Sequence, residues 1–95
     1  MIPIENFIYD ALRKVEKMKI YNCLDIRTFK RDRSVLIEKV EEGYNVIEDG
    51  FFKEEYLAIS KEELRKILKL MEKREFPRSN IVRFTILENR NCKKN

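Results

Sequence analysis

Ninety-five residues with 43% hydrophobic content are enough for one domain with one core, and the longest apolar run is far too short to span a membrane. Histidine is absent, which removes the commonest neutral-pH general base and the usual nitrogen ligand of zinc, and the two glycines stand apart, so no glycine-rich loop is present to cradle a phosphate. The net charge of +4 is unevenly laid out: residues 1–37 carry eight basic and five acidic side chains, residues 38–63 three and nine, and residues 64–95 ten and three, so a basic side can be offered to a polyanion.

Taken in chain order, Met1 leads into Ile2, Pro3, Ile4 and Glu5 rather than into an export signal, so the expected location is cytoplasmic. Phe7, Ile8, Ala11, Leu12, Val15 and Met18 recur at helical spacing and predict a helix over 4–18, with Arg13, Lys14 and Lys17 on its polar side. From Tyr21 to Ile59 the period becomes two, and four antiparallel strands are expected: 23–30, 34–41, 44–48 and 56–59. Glu42-Gly43 and Asp49-Gly50 supply the turns, and Phe51 to Glu55 makes a longer connection. Ser60 and Glu63 form a capping box ahead of Leu64, Ile67, Leu68 and Met71, which predicts a second helix to about Arg74. Pro77 stops it, and Val82, Phe84 and Ile86 alternate with Arg83 and Thr85 in a fifth strand over 81–87. The expected whole is an α+β domain over 1–87, an antiparallel β-meander of four to five strands with an N-terminal helix and a second helix packed on one face, followed by a frayed basic polar tail over 88–95.

Cys23 and Cys92 are too few for a disulfide framework and too far apart for a Cys-x-x-Cys motif, so they read as reduced thiols, Cys23 in the core and Cys92 exposed. The 40% charged residues and absence of glutamine resemble a protein from a hot environment, while seven asparagines argue the other way. The acidic residues near Glu41, Glu48 and Glu54 lack the spacing of a metal-binding loop, and no carboxylate pair stands out, so neither a metal, nor a cofactor, nor an enzymatic activity is expected.

Two segments carry a binding signal. Arg27, Lys30, Arg31 and Arg33 cluster around Phe29 where two strands meet; cations attract phosphates, and an aromatic on an open sheet stacks on any base. Tyr44 would project from the same sheet, and Arg83 from the last strand, if those strands neighbour the first two; the competing explanation is an ordinary basic hairpin with Phe29 and Tyr44 in the core. The second is Phe76-Pro77-Arg78-Ser79 followed by Val82-Arg83, where Arg78, Ser79 and Arg83 can donate to phosphate oxygens; Phe76 serves equally well as a plug in the core.

Val35-Leu36-Ile37-Glu38, Gly43-Tyr44, the helix from Ser60 to Met71, and Phe76-Pro77-Arg78-Ser79 with Val82-Arg83 resemble the core of a small archaeal family, the Thermoproteales-type single-stranded DNA-binding protein ThermoDBP and its relatives, over about 24–87. That resemblance implies a four-stranded antiparallel sheet with helices, a cleft with basic and apolar lining, and a single-stranded DNA or RNA partner. The acidic block over 38–63 departs from it. The rival reading is a protein-interaction or assembly module, a homodimer formed through the first helix or an unpaired strand edge.

Overall fold

The computed structural model describes residues 2–28, 33–76, 81–88 and 92. Its elements are a two-residue strand β1 (Ile2–Pro3), a 3-10 turn (Ile4–Asn6), helix α1 (Phe7–Lys17), strands β2 (Cys23–Thr28), β3 (Ser34–Val40), β4 (Gly43–Asp49) and β5 (Lys53–Ile59), helix α2 (Lys61–Arg74) and strand β6 (Ile81–Leu87). All strand pairs are antiparallel and the order is β1-β6-β2-β3-β4-β5. The expected meander is therefore present as β2 to β5. The sheet has six strands rather than four or five, because β6 slots in beside β2 and carries the short β1 on its outer edge.

Both helices bury their apolar stripes against one face of the sheet. Phe7, Ala11 and Val15 of α1, at four-residue spacing, and Leu64, Leu68 and Met71 of α2 meet Leu24, Ile26, Val35, Ile37, Val46 and Val82 from the strands. Phe76 closes the core at the end of α2, its ring set edge-on to Phe7 at 5.5 Å, so the core role holds for this aromatic. The α2 capping box forms as expected, with the Ser60 hydroxyl accepting from the Glu63 amide and the Glu63 carboxylate accepting from the Ser60 amide. At the other helix, Lys39 reaches across from β3 and donates to the carbonyls of Glu16 and Met18, supplying positive charge where the α1 carbonyls run out of partners.

Two expected boundaries move by three residues, and one side chain is more exposed than expected. The first turn of the predicted N-terminal helix is a 3-10 turn, and α1 proper begins at Phe7. The fourth meander strand begins at Lys53 instead of Tyr56; Lys53, Glu54 and Glu55 are exposed on an edge strand, where charge on both sides is tolerated and discourages pairing with another chain. Ile86 is half exposed although it shares the helix-facing side of β6 with Val82 and Phe84.

The two cysteines do not remain thiols. Cys23 is bonded to Cys92 across a Cα–Cα distance of 6.1 Å. Spacing along the chain concealed this, since pairing of β6 with β2 sets Leu87 opposite Cys23 and delivers Cys92 to the same place five residues later. Cys23 is fully buried, as expected, on the helix-free face of the sheet and outside the main core cluster, and Cys92 is half buried rather than exposed. No described helix is long and apolar enough to cross a membrane.

Candidate functional site

Antiparallel pairing gathers several chain reversals at one end of the sheet. Thr28 and Arg33, Asp49 and Lys53, and Phe76 and Ile81 all lie there, as does the C-terminus of α2. The described flanks of the two segments singled out in the sequence thus lie at the same end of the sheet. Phe29, Lys30, Arg31 and Arg78 themselves fall outside the described residues, as do Pro77 and Ser79.

On the helix-free face near this end, Arg27 of β2 stands directly across from Arg83 of β6, and Ser34 of β3 flanks Arg27 on the other side. Two guanidinium side chains and a hydroxyl therefore form one row across three strands. Asp25 binds Arg27 at 2.8 Å and so partly neutralises the row, while Asp49, opposite Ser34, is paired with Lys53 at 3.1 Å. A shallow groove of about 120 Å³ runs past Asp25, Arg27, Ser34, Leu36, Ile47 and Asp49 on this face.

Tyr44 is not part of it. Only 9% exposed, it lies on the helix-facing side of β4 within the core, and it cannot serve as a stacking platform. The alternation of β4 left two faces open to it; the pairing of Tyr44 opposite Lys39 and Ile59 settles which one it takes.

The aromatics that are exposed at this end were not among the expected site residues. Phe51 and Phe52, in the turn between β4 and β5, are 65% and 47% exposed. The Arg33 guanidinium lies 3.5 Å over the Phe51 ring centroid and that of Arg74 lies 4.0 Å over Phe52, both within cation–π range. Arg33 also donates to the carbonyl of Glu75. A signal for this pair was present in the sequence: adjacent residues of an extended chain point to opposite sides, so two consecutive phenylalanines beside a turn cannot both enter one core.

Beneath the turn lie two buried carboxyls. Glu48 takes a bidentate ion pair from Arg74 at 2.7 and 3.0 Å, and the Glu75 carboxylate accepts the main-chain N–H groups of Phe51 and Phe52 at 2.9 and 3.2 Å. Burial pushes the Glu48 carboxyl above the usual carboxylate range against the pull of Arg74. Burial acts the same way on Glu75, but the neighbouring Glu48 carboxyl, the two amides and Arg33 hold it below that range. The described face therefore combines two exposed rings, each under a cation, with a carboxyl pair that fixes the turn between them.

A second basic surface lies along α1, where Arg13, Lys14 and Lys17 border an open groove of about 320 Å³ with Asp10 and Ile2, and Arg13 lies 5.5 Å from the centroid of the Tyr9 ring. Lys66, Lys69 and Lys73 of α2 are exposed, as expected for its outer side. Among the described residues no three histidine, cysteine, aspartate or glutamate side chains stand close enough together to hold a metal ion. No known protein family, curated protein or solved structure matches the chain.

Proposed function

We propose that this protein binds single-stranded nucleic acid, DNA or RNA, at the end of the sheet where Arg33, Phe51, Phe52 and Arg74 meet, without carrying out chemistry on it. The observation that carries this reading is the pair of exposed phenylalanine rings, each already faced by a guanidinium. Stacking on unpaired bases needs exposed π-faces, and cations beside them hold the connecting phosphates. Arg27 and Arg83 extend the cationic track onto the helix-free face; Lys30, Arg31 and Arg78 belong to the proposal on their charge and sequence position alone. The resemblance to the ThermoDBP family belongs to this proposal, with the stacking role moved from Phe29 and Tyr44 to Phe51 and Phe52.

The test is fluorescence anisotropy of labelled single-stranded DNA, single-stranded RNA and duplex DNA at two salt concentrations. Salt-sensitive binding at micromolar protein, stronger for a single strand than for the duplex, is the expected result. Phe51→Ala and Phe52→Ala should each weaken it by roughly tenfold, the value of one stacked base. Absence of binding at low salt refutes the proposal.

The rival, self-assembly through the first helix or an unpaired strand edge, would use α1, the part of β6 beyond its two-residue pairing with β1, or the outer edge of β5. That edge carries Lys53, Glu54 and Glu55, and it is interrupted by a register shift between Tyr44 and Val46, where Ala58 adopts φ 52° and donates to the Asn45 side chain. Charge and a bulge both oppose strand addition, and sedimentation at high and low salt would report a dimer directly.

A further inference from the structure

We infer that Glu75 is the positioning residue of this site: its carboxylate, held from below the sheet end, sets the backbone of the Phe51–Phe52 turn so that both rings face outward toward the strand they stack on. The inference rests on the reading above and adds to it the group that organises the rings.

A turn that only had to reverse the chain between β4 and β5 would need two small residues and no buried charge. Here the chain instead exposes two large apolar rings and buries two carboxyls beneath them. Both features cost free energy unless something is gained by the geometry they impose. Glu75 is wholly buried and leaves α2 at the point where the helix ends, its amide still donating to the Met71 carbonyl. Its side chain then crosses to the turn, and each carboxylate oxygen takes one of two successive main-chain N–H groups. The amide of Gly50 donates to the Phe52 carbonyl and completes the loop. A Cβ at position 50 would overlap the Glu75 carboxylate, so the glycine is what lets the acid approach. Arg33 is tied to the same residue, since it donates to the Glu75 carbonyl while lying over Phe51. Glu75 thus fixes the backbone of both rings and the cation over one of them.

A positioning role separates from a phosphate-binding role by the salt dependence. Removing a cation that contacts phosphate lowers both affinity and the slope of log K against log salt; misplacing a stacking ring lowers affinity alone. Two folded variants disturb the contact from opposite sides: Glu75→Gln, which leaves one acceptor for two donors, and Gly50→Ala, which displaces the acid and touches neither ring nor cation. Circular dichroism and melting establish that each is folded, and if Glu75→Gln is not, Gly50→Ala alone decides. In both, the amide resonances of Phe51 and Phe52 should move upfield as their charge-assisted hydrogen bonds are lost, and single-strand affinity should fall about five- to tenfold at an unchanged salt slope. Amide resonances that stay in place, or that move while affinity is unchanged, overturn the inference. If the wild-type protein binds no single strand, the nucleic-acid reading fails, and displaced resonances then still support Glu75 as the organiser of the exposed pair.

Discussion

Breaking the bond between Cys23 and Cys92 should have a large and calculable effect. The two positions are 69 apart in sequence, so the bond closes most of the chain into a loop and removes that freedom from the unfolded ensemble. For a loop of that length the chain-entropy relation gives about 15 cal/mol/K, or about 4 kcal/mol at 25 °C. In a domain of this size that corresponds to a fall in melting temperature of roughly 20 °C. Cys92→Ser, the reduced wild type and the oxidised wild type, compared by urea unfolding, should resolve into two curves: the variant and the reduced protein together, the oxidised protein well above them. The folded state of the reduced protein should keep its sheet, because Leu87 remains paired with Cys23 by main-chain bonds. A difference below about 1 kcal/mol, or two titratable thiols in untreated denatured protein, would refute the reasoning.

Other perturbations follow from single contacts. Ser60→Ala removes the hydroxyl that accepts the Glu63 amide and should cost about 1 kcal/mol in urea unfolding, with strand binding unaltered. Arg33→Ala should weaken binding and flatten its salt dependence, whereas Tyr44→Phe should leave both as they are, since Tyr44 is in the core. The folded pKa of Glu75 lies below its unfolded value, so its contribution to stability is complete above the ordinary glutamate range and is lost as pH falls through the lower folded value; the Phe51 and Phe52 amide shifts should titrate with it there, and a midpoint in the ordinary range would contradict the contact.

Local pattern revealed most of the architecture. The capping box at Ser60 and Glu63, the helical spacing of Phe7, Ala11 and Val15, and the alternation of Leu24, Ile26 and Thr28 each act over a few residues, and each appears in the fold as read. What escaped depends on contacts between distant segments. A two-residue strand such as β1 has no periodicity and exists because β6 offers it a partner. The disulfide depends on the β2–β6 register, and the assignment of Tyr44 depends on which face the helices cover. Basic residues near a strand junction were legible as a candidate because charge needs no fold to be counted. Glu48 and Glu75 were not, because a glutamate among many charged residues looks the same in sequence whether it is solvated or sealed beneath a turn, and only their burial turns them into structural groups.

The strand order also dictates when the sheet can be completed. The meander β2 to β5 is assembled by short reversals and can pair as soon as it is made, but the other edge of β2 waits for β6, and paired residues such as Thr28 and Val82 are separated by β3, β4, β5 and α2. During synthesis that edge stays open and apolar on its helix-facing side until residues 81–87 emerge, which is the interval in which a second nascent chain could add to it. Because Cys92 follows β6 in the chain, the covalent bond to Cys23 can form only after that strand has been made, and it then secures a pairing that local sequence does not guide.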